Sequence, residues 1–241
     1  SMKPYNTTES KKEQVRSMFD AIAFRYDALN HLLSMGVDRS WRRKVVRRVH
    51  AAKPATILDL ATGTGDLAIM LARKCPQSAV TGIDLSEQML AIGRQKVSQA
   101  GLEQRITLMQ GDAENLPAED NSFDAVTVAF GVRNFEDIAR GVAEIHRILH
   151  PGGIVCVLEF GMPRNKIFGT LYRFYFHRIL PAVGRMLSHD KSAYTYLPQS
   201  VDEFPYGEKF RGMLLQAGFM DCRITNLWGG IAQIYYGRKQ A

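Results

Sequence analysis

The residues best placed to do chemistry are acids that follow short apolar runs. Ile57-Leu58-Asp59-Leu60-Ala61 carries an acid at its centre and breaks into Thr62-Gly63-Thr64-Gly65-Asp66. Such a run into closely spaced glycines reads as strand, tight turn and helix. Gly63 and Gly65 let the backbone turn sharply and approach a ligand with no Cβ in the way. Val80-Thr81-Gly82-Ile83-Asp84 is a second short strand ending in an acid. An acid there can accept hydrogen bonds from both hydroxyls of a ribose. Ile106-Thr107-Leu108-Met109-Gln110 is a third, followed by Gly111-Asp112-Ala113. Asp112 is placed to accept from an adenine amino group. Each acid alone could be a helix cap or a solvated loop charge. Together, after successive strands, they predict an adenosine-containing cofactor.

Two cofactors compete. Gly63-x-Gly65-x-x-Ala68 passes as a dinucleotide fingerprint, which would make the chain a nicotinamide-dependent quinone reductase. A dinucleotide lays its anionic pyrophosphate on the helix N-terminus. Here Asp66 follows Gly65 directly and Asp59 lies just upstream. Two carboxylates repel a pyrophosphate and suit a cationic ligand. S-adenosylmethionine carries a sulfonium, an ammonium and no phosphate, so the charge pattern favours it.

The acids must be positioned by a sheet. Strand patterns fall at 56–61, 79–84, 105–110, 123–129 and 153–159, with helix patterns at 65–74, 86–99 and 136–149 between them. This alternation implies a doubly wound α/β fold with helices on both faces of a parallel sheet. Pro151-Gly152-Gly153 reads as a sharp turn into the fifth strand. After a helix near 207–217, residues 221–227 and 231–237 read as strands joined by Trp228-Gly229-Gly230. The expected sheet is seven-stranded, mostly parallel and ends in an antiparallel hairpin. That is the methyltransferase variant of the doubly wound fold.

Two segments stand outside the alternation. Residues 2–50 read as an N-terminal helical cap, before a catalytic domain at 51–241. The cap has a helical stretch from about 15 to 33 and a basic helix holding Arg39, Arg42, Arg43, Lys44, Arg47 and Arg48. Asp38 is its expected N-cap. Trp41, Val45 and Val49 recur at helical spacing. The helix is therefore either docked with a solvated basic face or rests on an anionic membrane. Residues 162–200 hold an aromatic and apolar block from Phe168 to Leu180 with basic residues interleaved. It reads as packed helix or as a lid for a large apolar substrate.

Composition bounds the classes. The chain has 241 residues, 46% hydrophobic and 23% charged, as in a globular protein. Its net charge of +7 is compatible with nucleic acid, anionic lipid or simple solubility. The aromatic block suits a greasy ring and tail better than a polynucleotide, so no nucleic-acid partner is expected. Cys75, Cys156 and Cys222 are scattered, without metal-ligand spacing. With no signal peptide read at the start, this predicts a reducing, cytoplasmic location, with the inner membrane face as a peripheral station. The oligomeric state is open, a homodimer included.

Beyond these patterns, longer segments resemble the ubiquinone/menaquinone biosynthesis C-methyltransferase family. They are Tyr26-Asp27-Ala28-Leu29-Asn30-His31-Leu32-Leu33-Ser34 through Trp41, Phe130 to Phe135, Arg147 through Phe160, Tyr194 to Ser200, and Gly230-Ile231-Ala232. Leu29, Asp38, His150 and Gly161 depart from the family's usual Met, His, Lys and Ser. The resemblance implies methyl transfer from S-adenosylmethionine to a ring carbon of a prenylated quinol. It carries cofactor roles onto Thr64, Asp84, Asp112, Ala113 and Ala129. At Ala129 some members have serine, so a side-chain hydrogen bond is absent here.

Carbon methylation of a quinol needs a phenolate. Arg133, just past the fourth strand, is the candidate to stabilise it or orient a water, with Asn134 placing the ring oxygen. The structural alternatives are that Arg133 pairs with a core acid and that Asn134 caps the next helix. Base candidates are Tyr26, Asp112, His177, His189 and Tyr196. Tyr26 and Tyr196 also belong to the family-like segments and are expected to line the quinol pocket. No step calls for a metal. Rival readings are another methyl acceptor, such as a sterol, phenol or nucleic acid, and a non-catalytic lipid or RNA adaptor.

Overall fold

A computed structural model describes residues 2–28, 36–187 and 190–241. Residues 29–34 of the first family-like segment, and the base candidate His189, lie outside the described residues. Helix α1 (Lys11–Ile22) is capped by Ser10, whose hydroxyl accepts from the Glu13 N–H at 3.2 Å. Helix α2 (Asp38–Ala51) is the basic helix. Strand β1 (Thr56–Leu60) leads into α3 (Asp66–Lys74), β2 (Ala79–Asp84) into α4 (Glu87–Gln99), and β3 (Ile106–Gln110) into β4 (Phe123–Ala129). A short 3-10 turn, Val132–Asn134, follows β4, then α5 (Ile138–Ile148) and β5 (Leu149–Phe160). Next come α6 (Lys166–Phe174), a π-helical turn at Tyr175–Ile179, α7 (Leu180–Leu187) and α8 (Lys191–Glu203). Helix α9 (Glu208–Gln216), β6 (Phe219–Leu227) and β7 (Ala232–Lys239) complete the order.

The seven strands form one sheet in the order β3-β2-β1-β4-β5-β7-β6. The pairs from β3 to β5 are parallel, and β7 is antiparallel to both β5 and β6. The expected sheet is thus the observed one. The chain adds strands outward in one direction from β1 and then in the other from β4, and this switch in strand order opens a crevice at the carboxyl ends of β1 and β4, where such sheets bind ligands. Strands β1, β4 and β5 are buried on both faces, as their near-continuous apolar runs require.

Two local expectations fail. Asp38 is not the cap of α2. Val37 holds that position, and the Asp38 carboxylate turns along the helix to Arg42 Nη1 at 2.6 Å. Arg42 is itself buried, and a buried cation needs a counter-charge more than the helix end needs a cap. Pro151-Gly152-Gly153 is not a turn before β5 but lies inside it. The β4–β5 register slips between Phe123 and Ala125, and Gly152, at φ 83°, absorbs the irregularity.

Helix α2 is docked. Trp41, Val45, Val46 and Val49 are buried, while Arg39, Arg43, Lys44 and Arg47 face solvent. Helix α1 buries Val15, Met18 and Ile22, and its Asp20 accepts from the Ser86 hydroxyl, tying it to the N-terminus of α4. The 162–200 segment is packed on one side and exposed on the other. Tyr172 and Phe176 are buried, with Phe176 edge-on to Phe160 at 5.8 Å. Ile167, Leu171, Phe174, Ile179 and Met186 are exposed.

Candidate cofactor and acceptor site

The loop after β1 begins the site. Gly63 and Gly65 have φ of 58° and 83°, the left-handed region that a side chain strains to enter. A Cβ at Gly63 would also lie 3.1 Å from the Tyr26 ring. The Gly63 N–H donates to Asp84 Oδ2 at 2.9 Å, and the Ser86 N–H donates to Oδ1 at 2.9 Å. Asp84 thereby ties the glycine loop to the end of β2. Burial pushes its carboxyl up to about 6, against the pull of these N–H groups and with the Asp20 carboxylate adding to the rise.

Asp59 lies inside the sheet. The hydroxyls of Thr62 and Thr127 each donate to it at 2.7 Å. Burial pushes it up to about 6 as well, opposed by those hydroxyls and by Arg42. The sign for pH follows from both acids. Their folded forms hold a proton more tightly than the unfolded chain, so they favour folding most below about pH 4, and that contribution is lost as pH rises to about 6. A cationic ligand needs them ionised. Its affinity is therefore expected to fall below about pH 6, by up to about tenfold per unit for each proton taken up. Calorimetric titration of S-adenosylmethionine between pH 5 and 8 checks this, and a flat profile excludes it.

A cavity opens at the carboxyl ends of β1, β2 and β4. Asp84, Asp112, Ala113, Phe130, Gly131 and Asn134 all line it. Helix α1 forms a wall through Lys12, Val15 and Phe19, and Tyr26 closes part of the side. The N-terminal segment is therefore part of the pocket. Lys12 Nζ meets Asp112 Oδ2 at 2.7 Å and Glu114 Oε2 at 3.6 Å, so a ligand amino group reaching Asp112 must share or displace this lysine. A smaller pocket lies on the other side of Tyr26, lined by Asp59, Thr62, Thr64, Asp66, Ala129 and Arg42 among others.

Charges that looked free in the sequence are partnered. Lys96 Nζ reaches Asp66 at 2.8 Å, Asp27 at 2.5 Å and the Thr64 hydroxyl at 2.8 Å. Thr64 in turn donates to Asp27 at 2.8 Å. The repulsion expected from Asp66 is thus largely neutralised, and Asp59 carries the charge argument for a cationic ligand.

Of the four residues expected near the acceptor, the structure brings three together. Asn134 and Tyr26 line the main cavity, and the buried Tyr196 hydroxyl donates to Asn134 Oδ1 at 3.1 Å. Burial raises the Tyr196 phenol well above its ordinary value, which makes it a poor base. Arg133 sits behind this group. It is 4% exposed and pairs with Glu159 Oε1 at 2.9 Å, donates to the Phe130 carbonyl at 2.7 Å and to the Ser200 hydroxyl at 3.2 Å. The core-acid alternative for Arg133 is the arrangement observed. Asn134 does not cap α5; Asp137 does, by accepting from the Arg140 N–H. His177, in the 162–200 segment, pairs with Asp202 of α8 at 2.9 Å, both half-exposed. Among the described residues, no cluster of His, Cys, Asp and Glu could hold a metal.

Sequence reasoning missed Lys12, Lys96 and Glu159. Glu159 had a signal: an acid inside the apolar run Val155 to Phe160 must meet a cation. Lys12 and Lys96 had none, because their partners come from distant segments.

The groups present suit S-adenosylmethionine: acids at the ends of β2 and β3 for ribose and adenine, and a buried Asp59 beside the smaller pocket for positive charge. The comparisons agree. A family model described as the ubiE/COQ5 methyltransferase family matches residues 7–239. A demethylmenaquinone methyltransferase of Porphyromonas gingivalis is 47% identical over 237 residues, covering 98% of this chain and 97% of its own length. The ubiquinone/menaquinone biosynthesis C-methyltransferase UbiE of Geobacter sulfurreducens is 47% identical, covering 98% of this chain and 91% of its own. A SAM-dependent methyltransferase of Thermotoga maritima matches in fold, with a TM-score of 0.65 at 18% identity, over 93% of this chain and 99% of that one. A phosphoethanolamine N-methyltransferase of Haemonchus contortus, solved with S-adenosyl-L-methionine, gives 0.59 at 19% identity over 77% of this chain and 49% of that one. The dinucleotide reading falls with these matches. The chain belongs to the ubiE/COQ5 methyltransferase family and is an S-adenosylmethionine-dependent methyltransferase.

Proposed function

We propose that the chain methylates a ring carbon of a prenylated quinol, taking demethylmenaquinol to menaquinol. The carrying observation is a single cavity lined both by ribose- and adenine-type acceptors, Asp84 and Asp112, and by Asn134, which is tied to Tyr196. The name of the Porphyromonas gingivalis relative favours menaquinone; that of the Geobacter sulfurreducens relative keeps the ubiquinone precursor 2-methoxy-6-polyprenyl-benzoquinol as the second reading.

The cofactor supplies an electrophilic methyl on its sulfonium. The protein must supply an oriented ring with phenolate character. With tyrosine as model, ionising such a phenol at pH 7 costs about 4 kcal/mol. Asn134 is placed to donate to the ring oxygen with its NH2, because its carbonyl already serves Tyr196. Arg133 is neutralised by Glu159 and does not line the cavity, so it serves the ring oxygen by holding the 3-10 turn that carries Asn134 rather than as a direct ion pair. Holding methyl and carbon in line contributes about 7–11 kcal/mol in well-oriented systems. Radiolabelled methyl transfer to chemically reduced demethylmenaquinol, beside the reduced ubiquinone precursor, tests the proposal. Turnover with the first quinol is expected; turnover with the second alone reassigns the pathway, and with neither the acceptor class is wrong.

A lipid-borne substrate also explains the lid. No helix among the described residues is long and apolar enough to cross a membrane. The exposed Ile167, Leu171, Phe174, Ile179 and Met186 instead make an apolar face flanked by Arg164, Lys166, Arg173, Arg178 and Arg185. This combination suits shallow insertion into an anionic bilayer. It relocates the membrane contact from α2, whose apolar side is already buried. Sedimentation with phosphatidylglycerol vesicles should recover the protein, and Leu171→Asp with Phe174→Asp should abolish recovery. Equal recovery with and without vesicles removes the membrane contact.

A further inference from the structure

One buried carboxylate joins three segments that line the main cavity. Glu114 is 6% exposed and lines that cavity together with Lys12, Asp112 and Asn134. Its N–H donates to Asp112 Oδ1 at 2.9 Å. Its carboxylate reaches the segment after the 3-10 turn, accepting from the Asp137 N–H at 3.1 Å and the Glu136 N–H at 3.3 Å. Its carbonyl accepts from Arg140 Nε at 2.9 Å, in the first turn of α5. Glu114 therefore links the acid expected to meet adenine with the segment that carries Asn134. Helix α1 touches the same junction twice. The Lys11 N–H donates to Glu136 Oε1 at 3.3 Å, and Lys12 Nζ stands 2.7 Å from Asp112 Oδ2 and 3.6 Å from Glu114 Oε2.

Asp112 Oδ1 is taken by a backbone N–H, so an amino group arriving at this acid must compete for Oδ2, where Lys12 sits. The next carboxylate for the displaced ammonium is Glu114, already 3.6 Å away. Glu114 has reason to accept it. A buried carboxylate with backbone donors alone is poorly compensated, and Lys12 is the cation that faces it. At 3.6 Å the contact is longer than a hydrogen bond, and a shift of under about 1 Å makes it a charge-assisted one. That bond draws α1 onto the segment that Glu114 holds by two N–H groups. We propose that Glu114 is a positioning residue for methyl transfer: it takes over Lys12 when the cofactor's adenine amino group takes Asp112, and so fixes the segment carrying Asn134 once the cofactor is in place. Such coupling is reciprocal, so cofactor and acceptor each raise the affinity for the other by the same factor. The inference rests on the S-adenosylmethionine assignment and on the reading of Asn134 as the residue that faces the acceptor.

Hydrogen exchange of the amides at 132–138, followed by mass spectrometry on the full chain, reads this segment without any acceptor. Saturating S-adenosylhomocysteine should slow the exchange about tenfold in the unaltered protein. S-inosylhomocysteine, whose purine has an oxygen in place of the amino group, should not slow it at saturation. The response should also be lost in Lys12→Met and in Glu114→Gln, since glutamine keeps a carbonyl for the backbone N–H groups but offers Lys12 no charge. Calorimetry separates this from damage to the cofactor site. Lys12→Met removes the competitor for Asp112 Oδ2, so S-adenosylhomocysteine should bind at least as tightly as before. In turnover at saturating S-adenosylmethionine, the same variant should raise KM for chemically reduced demethylmenaquinol about tenfold. A merely structural role for Lys12 would weaken cofactor and acceptor together, and that result overturns the proposal. So does an exchange response that persists in Lys12→Met or that S-inosylhomocysteine reproduces. If the response is present but this quinol is not methylated, the acceptor reading falls and the coupling stands; turnover without the response has the opposite meaning.

Discussion

Arg133→Ala is expected to lower the free energy of unfolding by about 3–5 kcal/mol, the usual cost of stranding one partner of a buried ion pair. Glu159 is fully buried, and its carboxylate accepts from the Arg133 side chain, the Arg133 N–H and the Phe160 N–H. Alanine leaves that carboxylate with backbone donors only. It also frees the Phe130 carbonyl and the Ser200 hydroxyl that Arg133 ties to the β4 exit. Urea unfolding measures the loss, and a change below about 1 kcal/mol would show that the pair is not under this constraint. Adding Glu159→Gln to Arg133→Met should recover much of the stability, because an uncharged pair has little desolvation cost. That double variant also separates two roles. If it folds well yet does not transfer methyl groups, the charge of Arg133 serves the reaction. If turnover returns, Arg133 acts by holding the turn that carries Asn134.

Asp84→Asn is expected to weaken S-adenosylmethionine binding by roughly 100-fold or more. Two ribose hydroxyls donating to a carboxylate are worth about 1.5–3 kcal/mol each, and an amide retains at most one neutral acceptor. The substitution also disturbs the Gly63 and Ser86 N–H groups, which both donate to this carboxylate. The glycine loop then loses its tie to β2. In thermal melts the rise in Tm produced by saturating ligand should nearly vanish. A dissociation constant within about threefold of the unaltered protein would mean that the ribose is held elsewhere.

Much of the fold was legible because the signals are local. The runs that hold Asp59 and end at Asp84 are short and largely apolar, and they stop at a glycine turn or an acid. These features depend only on neighbours in the chain, and the strands fall within a residue or two of their expected bounds there. The pairing of the last two strands was readable for the same reason, since a four-residue connection leaves them little choice. The position of β7 between β5 and β6 came only with the fold.

The side-chain partners were not local. Asp66 looked like a free charge beside a glycine turn, but Lys96 arrives from α4 to neutralise it. Asp112 looked open, but Lys12 arrives from α1. Asp38 looked like a cap until Arg42, one turn ahead, turned out to be buried and in need of a counter-charge. The sequence by itself determined which acids stand at the ends of the strands, because strand period and turn chemistry place them. Only the tertiary structure decided which of those acids are occupied, that Arg133 is spent on Glu159, and that Arg42 keeps an unmatched donor beside the smaller pocket. The reason is electrostatic: a charge's role depends on burial and on its nearest opposite charge, and both are set by segments that meet only when the chain has folded.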